Sequence, residues 1–143
     1  MTPTAFDVRL VEWPDAAPGL RGIRHAVFVV EQHVPEALEW DEADARSLHA
    51  LASDTRRAPV GCARLLPDGH IGRVAVLASW RRHGVGTALM LRLVDVARQR
   101  GDAAVIVNAQ VDAMPFYARH GFVARGDVFE EAGILHRVME LRL

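Results

Sequence analysis

A strand, a basic turn with two glycines and an amphipathic helix follow one another in the middle of this 143-residue chain. The strand ends at Val76, the glycines are Gly84 and Gly86, and the helical pattern continues to Arg100. Glycine lets a backbone approach a ligand closely, and the first N–H groups of a helix have no partners within the helix. The segment therefore predicts a binding site for a phosphate group at the N-terminus of this helix.

Two common phosphate-binding motifs match this turn poorly. A nucleoside-triphosphate loop needs a lysine after its last glycine, whereas all 17 residues counted as Lys or Arg are arginine. A dinucleotide-binding turn needs a third glycine at the position that Leu89 occupies. Arg81, Arg82 and His83 keep the turn positive, which favours a pyrophosphate as the ligand. A solvated basic turn and a nucleotide-binding α/β protein that uses the same glycines are the alternatives.

Length and composition predict a single globular domain over residues 1–143. Half of the residues are hydrophobic and the formal net charge is -1, so no basic field argues for nucleic acid or an anionic membrane. The chain shows no apolar run of membrane-spanning length and no secretory leader at its start. The lone Cys62 cannot form an internal disulfide, which agrees with a reducing compartment. We therefore expect a cytoplasmic protein that binds neither nucleic acid nor membranes.

Hydrophobic periodicity predicts a mixed α/β domain in which helices separate groups of strands. Ile23, Val27 and Val30 form one apolar face of a helix over 20–33, and His49 and Cys62 are expected in the core. The acidic run 36–44 reads as a surface connection with a short helix. The expected strands are 6–10, 49–53, 60–66, 71–76, 104–107, 122–128 and 135–141, and the later helices are 84–100 and 112–120.

Two ordered motifs in the C-terminal half resemble those of the GNAT superfamily of N-acetyltransferases. Arg81-x-x-Gly84-x-Gly86 is similar to the coenzyme-A loop of that family, and 116–122, Phe-Tyr-Ala-Arg-His-Gly-Phe, is similar to its aromatic-Tyr-x-x-x-Gly-Phe signature. The segments 28–32, 109–110 and 133–136 further resemble the small, single-domain ElaA-like branch.

The resemblance implies a GNAT-like fold with a mostly antiparallel central sheet, splayed middle strands and flanking helices. The pantetheine arm of acetyl-coenzyme A would enter between the strands of Val76 and Asn108, and Val76 N–H would polarise the thioester carbonyl. The N–H groups of the loop would hold the pyrophosphate, with a hydroxyl from Thr87. Gln110 stands where many relatives place an asparagine that contacts the pantetheine. The residues implied to bind the co-substrate are Val74, Ala75, Val76, Arg81, Arg82, His83, Gly84, Val85, Gly86, Thr87, Ala88, Asn108, Gln110, Phe116 and Tyr117.

Three side chains are candidates for the chemistry of acetyl transfer. Tyr117 matches the family position that protonates the leaving sulfur, and a phenol stays protonated at neutral pH. Glu31 is the first candidate for the base that deprotonates the amine, provided that burial raises its pKa. His136 is the second candidate because an imidazole titrates in the useful range. The alternative roles are packing for Tyr117, a solvated helix end for Glu31 and a structural contact for His136.

The resemblance implies an N-acetyltransferase that moves acetyl from acetyl-coenzyme A to a primary amine by direct attack in a ternary complex. The alternative is a catalytically inactive sensor that binds coenzyme A. No histidine spacing suggests a metal site. The acceptor is a small molecule or a protein, and the enzyme is a monomer or a homodimer. A cationic or protein amine is weakly favoured by an acidic rim that comprises Glu31, Glu36, Glu39, Asp41 and Glu42.

Overall fold

The computed structural model describes residues 5–143, in which the strands form two antiparallel groups. The strands are β1 (Phe6–Val11), β2 (Leu48–Asp54), β3 (Pro59–Leu65), β4 (Ile71–Val76), β5 (Ala104–Gln110), β6 (Val123–Glu131) and β7 (Ile134–Arg142). The first group has the order β1-β2-β3-β4 and the second has the order β5-β7-β6. The α-helices are α1 (Trp13–Arg24), α2 (Glu36–Glu39), α3 (Val85–Gln99) and α4 (Met114–Arg119), with a π-helix at His25–Glu31 and 3-10 turns at Glu42–Arg46, Ala78–Trp80 and Val111–Ala113.

The two groups of strands meet at the start of β4 and β5 and separate beyond that point. An isolated parallel bridge pairs His70 with Ile106, and Ile106 N–H donates to Gly69 O at 3.0 Å. Past this bridge β4 pairs only with β3, and β5 pairs only with β7, among the strands described. Parallel strands that part in this way leave two facing edges unpaired. The predicted splay of the middle strands is confirmed.

Helix α3 covers one face of the first group of strands. Its apolar positions recur every three or four residues, so Val85, Leu89 and Leu93 are all buried against the strands. The approach is close: a Cβ added to Gly61 of β3 would lie 2.8 Å from a methyl carbon of Val85. Helix α1 and the π-helix cover the opposite face with Leu20 as one of their buried residues. The sheet is therefore enclosed on both sides, as a mixed α/β fold requires.

The N-terminal helix differs from its prediction in both start and face. It begins at Trp13. Pro14 does not prevent this start, because it lies in the first turn, where a missing N–H costs no helical bond. The predicted start at residue 20 is therefore wrong. From His25 onward the helix is of the π type, whose wider turns rotate later residues around the axis. Val30 is consequently 60% exposed and Phe28 is buried, so the predicted place of Val30 on the apolar face is also wrong.

Burial of the two other expected core residues is confirmed. His49 and Cys62 lie inside the molecule, at 2% and 1% exposure. His49 Nε2 donates to Asp44 O at 2.8 Å, and burial lowers the pKa of His49. In the part of the chain that the structure covers, no helix has the length and apolar character needed to traverse a bilayer.

Candidate functional site

A groove of about 860 Å³ runs between the two separated strands. Its walls include Val74 and Val76 on β4 and Asn108 and Gln110 on β5. A volume of this size suits a small-molecule ligand of several hundred daltons. One end reaches Gly86 at the start of α3, and the other passes between the π-helix and the β6–β7 hairpin.

The β4 edge presents main-chain groups to the groove. Leu77 N–H donates to Val60 O at 2.9 Å, which is a bond toward β3. Successive residues of a strand direct their N–H and C=O groups to opposite sides, so those of Val76 point away from β3. The side chain of Arg81 supports this direction, because its Nε donates to Val76 O at 3.0 Å from the open side. Val76 N–H is thus available to a ligand that lies along β4.

A β-bulge interrupts β4 just before this open edge. Cys62 pairs with Ala75 and Arg64 with Gly72, so one extra residue lies on the β4 side. Arg73 sits in the bulge with φ at 50°, in the left-handed region that residues other than glycine seldom adopt. Bulges bend a strand and increase its twist. The bulge therefore contributes to the separation of β4 from β5.

The N-terminus of α3 carries a row of unused donors. The backbone is left-handed at Arg82 (φ 66°) and at Gly84 (φ 82°). The first bond into the helix is from Ala88 N–H to Gly84 O at 3.0 Å, and Gly84 offers no side-chain cap. Within residues 5–143, the N–H groups of 82–87 donate to no backbone carbonyl. These donors, together with the positive end of a helix, fit a pyrophosphate.

Tyr117 of α4 reaches the groove from the side of α3. Its ring lies among Phe116 and Phe122, at centroid distances of 5.1 and 5.5 Å, and the residue is buried. Burial raises the pKa of its phenol to about 12, because a phenolate would lose its hydration there. Tyr117 therefore keeps its proton across the physiological pH range. Phe116 also touches the turn, since a Cβ on Gly86 would lie 3.6 Å from the Phe116 ring.

Glu31 and Arg81 form a bidentate ion pair at the mouth of the groove. Arg81 Nη1 and Nη2 donate to the two carboxylate oxygens of Glu31, each at 2.6 Å. The hydrogen bonds from Arg81 lower the pKa of Glu31, whose side chain is 42% exposed. The expectation that burial raises this pKa is wrong, because Arg81 stabilises the charged form. The Arg81 guanidinium is therefore already engaged, by Glu31 and by Val76 O.

His136 of β7 lies buried in the wall of the groove with a defined orientation. Its Nδ1 is 2.7 Å from Ile134 O, and its ring stacks on Phe129 at 5.8 Å. A carbonyl oxygen only accepts, so Nδ1 carries the hydrogen. In the neutral imidazole Nε2 then keeps a lone pair, which is the arrangement of a proton acceptor.

Two of the side chains on β5 and α3 that were predicted to touch the co-substrate, Gln110 and Thr87, have protein partners of their own. Asn108 and Gln110 share the groove face of β5, as alternation along the strand predicts. Gln110 Nε2 donates to Gln32 Oε1 at 2.8 Å and thereby ties β5 to the end of the π-helix. Thr87 Oγ1 lies 3.2 Å from His120 Nε2, which joins α3 to α4. Their predicted contacts with the co-substrate stay predictions.

The acidic rim is compensated by arginines that the sequence pattern did not connect to it. Arg24 is buried and donates to Glu39 at 2.8 Å, while Arg64 binds both oxygens of Asp41 at 2.6 and 2.8 Å. The Arg64 hydrogen bonds lower the pKa of Asp41 to about 2. The complete cluster consists of Arg24, Arg64 and Arg73 with Glu39, Asp41 and Asp44.

This compensation removes the electrostatic argument for a cationic acceptor. Three positive and three negative side chains meet in the cluster, and Glu31 is paired with Arg81. The predicted excess of negative charge at the rim is therefore wrong for Glu31, Glu39 and Asp41. The partners lie 15 to 50 residues apart in the chain, so no local pattern reveals them.

A groove between splayed strands, with free main-chain donors along one edge and at a helix N-terminus, defines an acyl-coenzyme A N-acyltransferase fold. Comparison with known proteins gives the same class. The model of the acetyltransferase (GNAT) domain matches residues 14–143. The chain belongs to the GNAT acetyltransferase family, and it is an acyl-coenzyme A-dependent acetyltransferase.

Relatives of known sequence or structure are similar over most of this chain. It is 40% identical to the uncharacterized N-acetyltransferase YjcF of Bacillus subtilis, over 82% of this chain and 86% of that protein. The crystal structure of an acyl-CoA N-acyltransferase from Pseudomonas aeruginosa superposes with a TM-score of 0.83 at 30% identity, over 95% of this chain and 99% of the other. Escherichia coli ElaA gives a TM-score of 0.84 at 28% identity, with the same coverage. The resemblance to small, ElaA-like proteins is confirmed.

Proposed function

We propose that this enzyme transfers the acetyl group of acetyl-coenzyme A to a primary amine of a small molecule or a protein, by direct attack in a ternary complex. The observation that carries the proposal is the groove between β4 and β5. It extends in one direction to Gly86 and in the other between the π-helix and the β6–β7 hairpin. Acetyl-coenzyme A supplies an activated thioester, and an amine that enters from the opposite end can reach it without a covalent enzyme intermediate. Cys62, the sole cysteine, is buried with its pKa raised to about 12 by that burial, which argues against a thiol nucleophile.

Two sets of main-chain groups would bind the co-substrate. The unused N–H groups of 82–87 suit the pyrophosphate, and the open edge at Val74 and Val76 suits the extended pantetheine arm. This division explains why the turn needs no lysine. Backbone donors at a helix N-terminus bind phosphate oxygens regardless of nearby side chains.

Val76 N–H is the candidate donor to the acetyl oxygen. Negative charge develops on that oxygen as the amine adds to the carbonyl carbon. A fixed donor aimed at such an oxygen lowers the barrier by about 3 kcal/mol. The position of Val76 on a strand packed on both sides keeps the donor in place during the reaction.

Tyr117 would donate a proton to the departing sulfur. A coenzyme-A thiol has a pKa of about 8.5, below that of the Tyr117 phenol. The hydroxyl would therefore stabilise the departing thiolate through a hydrogen bond as it donates, and Tyr117 would regain the donated proton from solvent. With its pKa raised to about 12, Tyr117 holds its proton until the thiolate forms. The aromatic contacts with Phe116 and Phe122 restrict the ring and so orient the hydroxyl.

We assign the base to His136 rather than to Glu31. His136 lines the groove, and within residues 5–143 its Nε2 has no hydrogen-bond partner, whereas the Glu31 carboxylate is engaged by Arg81. A carboxylate with a lowered pKa is a weaker proton acceptor. Glu31 would then serve the site by holding Arg81 against Val76.

The deciding experiment is a screen of amines in which free thiol is measured as acetyl-coenzyme A is consumed. We expect at least one amine to accelerate thiol release, and calorimetry to show that coenzyme A binds with a Kd well below those of ATP and NAD. Binding without any amine-dependent release would instead indicate a sensor. Absence of coenzyme A binding would overturn the proposal altogether.

A further inference from the structure

We propose that Arg73 is a positioning residue, whose side chain is tethered to the 38–41 segment and thereby fixes the bulge of β4. The inference rests on the proposed function, because the bulge directs the open edge that would bind the thioester. The bulge lies in a different part of the site from the turn at 82–87, which is proposed to bind the pyrophosphate. Arg73 is not required to touch substrate for this role.

The backbone at Arg73 is in an unfavourable conformation that needs support. Its φ of 50° lies in the left-handed region, where arginine has a steric penalty that glycine lacks. Such conformations persist when surrounding contacts enforce them, and they concentrate at functional sites. A bulge without support can relax toward regular pairing with β3.

The tether consists of contacts from the Arg73 guanidinium to a segment more than thirty residues earlier. Nη2 lies 3.4 Å from Leu38 O, 3.2 Å from Glu39 O and 3.3 Å from Asp41 Oδ2. Nε lies 3.1 Å from Glu39 Oε1. The guanidinium thus contacts backbone and carboxylate oxygens from two of its nitrogens, whereas a lysine ammonium offers donors from a single nitrogen on a differently shaped side chain.

The segment that receives this tether is itself held firmly. Glu39 is buried and accepts from Arg24, which also donates to Asp44 at 2.7 Å. Asp41 accepts two bonds from Arg64. The Arg24 guanidinium lies between the rings of Trp13 and Trp40, at 5.6 and 5.1 Å from their centroids. The 38–41 segment is thus held in place by hydrogen bonds and ion pairs to Arg24 and Arg64.

Loss of the tether would change the direction of the open edge. A slip of one residue in a strand turns every later side chain and main-chain group to the other side. Such a slip would direct Val76 N–H toward β3 instead of the groove. The reacting carbonyl would then lose its hydrogen-bond donor, while the turn at 82–87 that is proposed to bind the pyrophosphate would stay intact.

The test compares two variants of Arg73 with a matched control. Arg73→Asn removes the guanidinium but tolerates a left-handed backbone, and Arg73→Lys keeps the charge without the fork. Arg57→Asn is the control, because Arg57 also has a left-handed backbone (φ 64°) but lies on an exposed turn. The readouts are kcat and KM in the thiol-release assay, calorimetric Kd for coenzyme A, and amide hydrogen exchange of residues 71–77.

We expect Arg73→Asn to lower kcat at least about tenfold, a part of what loss of one oxyanion donor costs. The Kd for coenzyme A should change less than about threefold, because the phosphate donors are untouched. Exchange in 71–77 should accelerate at least about threefold, since the bulge loses its support. Arg73→Lys should show the same changes to a smaller extent, and Arg57→Asn should show none.

Unchanged kcat and unchanged exchange in both Arg73 variants would overturn the proposal. If Arg73→Asn does not fold, the Lys variant decides by the same two measurements. Should the wild-type protein bind no coenzyme A and release no thiol, the proposed function fails, and exchange in 71–77 still decides whether Arg73 holds the bulge. The two failures are therefore distinguishable.

Discussion

Arg81 and Glu31 lie fifty residues apart in the chain and are joined by two hydrogen bonds of 2.6 Å each. The pair connects the turn before α3 to the end of the π-helix. Arg81 also donates to Val76 O, so one guanidinium touches both walls of the groove mouth. This arrangement engages the carboxylate that the sequence favoured as the catalytic base. The assignment of the base to His136 follows from it and leads to the first test.

The base is tested by comparing His136→Asn with Glu31→Gln. Asn keeps a donor near Ile134 O but has no counterpart of Nε2, so kcat should fall at least about 100-fold if Nε2 accepts the amine proton. Glu31→Gln should lower kcat less than about tenfold and change the free energy of unfolding by under about 1 kcal/mol, as for an exposed ion pair. Steady-state thiol release and urea unfolding measure both. The reverse order of the two kcat effects would return the base to Glu31.

The Tyr117 hydroxyl is tested by Tyr117→Phe. The ring packing is kept and the proton donor is lost, so kcat should fall about 100-fold or more while the Kd for acetyl-coenzyme A changes less than about threefold. Because burial raises the Tyr117 pKa to about 12, the wild-type rate should show no loss from this group below about pH 10. Stopped assays from pH 6 to about 11 measure the profile. An unchanged kcat in the variant would remove Tyr117 from the chemistry.

Gly84 is tested by its conformation rather than by its contacts. A Cβ there meets nothing within 4 Å, but φ is 82°, so Gly84→Ala should cost about 1 kcal/mol of unfolding free energy. It should also weaken coenzyme A binding, because strain in the turn misaligns the donors of 82–87. Gly84→Asn should cost less, since asparagine tolerates this region. Urea unfolding and calorimetry measure the two effects.

Gly22 provides the control for that experiment. It lies in α1, its Cβ position is also open, and it has no left-handed φ. Gly22→Ala should therefore stabilise the protein by roughly 0.5–1 kcal/mol through helix propensity. Equal destabilisation by Ala at both positions would contradict the conformational explanation.

The lowered pKa of Asp41 predicts that part of the free energy of unfolding is lost in acid. Its pKa is about 2 in the folded protein, against an ordinary 3.8, because of the hydrogen bonds from Arg64. A lowered carboxyl pKa stabilises the fold fully above pH 3.8 and progressively less as pH falls toward 2. Glu39 acts with the opposite sign, because burial raises its pKa.

The Asp41 contribution is isolated by comparing wild type with Asp41→Asn. The difference in unfolding free energy between them should be largest above pH 4 and should shrink toward pH 2, as the wild-type carboxyl gains its proton. Urea unfolding at several pH values measures it. A difference that is constant with pH would show that Asp41 does not titrate in this window.

Cys62 should be unreactive in the native protein. It is 1% exposed, and burial raises its pKa to about 12, so thiolate is scarce at pH 8. A thiol reagent such as DTNB should label it only after unfolding in urea, when one thiol per chain becomes available. Rapid labelling of the native protein would contradict its burial. The expected result also means that the enzyme adds no background to thiol-release assays.

Some features of the site were predictable because they depend on neighbours in the chain. The turn with Gly84 and Gly86 requires glycine at a left-handed position just before an apolar helical pattern, and the structure has φ of 82° at Gly84. The alternation of β5 placed Asn108 and Gln110 on one face, where the groove lies. Each of these inferences uses residues within a few positions of one another.

Other features were mispredicted because local patterns are insufficient. Val30 matches a helical repeat, yet the π-type turn moves it to the surface. The helix was predicted to start at residue 20, yet it begins at Trp13, and the burial of Leu20 against the sheet offsets the helical bond that is lost at Pro18. In both places tertiary packing outweighed local preference.

By itself the sequence determined the order of elements, the donor-rich turn and the family to which these motifs belong, because periodicity and glycine chemistry act over one or two turns of chain. Only the tertiary structure decided which carboxylates around the groove are paired with arginines, and where the bulge that contributes to the separation of its strands lies. Arg24, Arg64, Arg73 and Arg81 neutralise carboxylates between 15 and 50 positions away. Coulomb energy and desolvation depend on distance in space, so a one-dimensional pattern does not contain them.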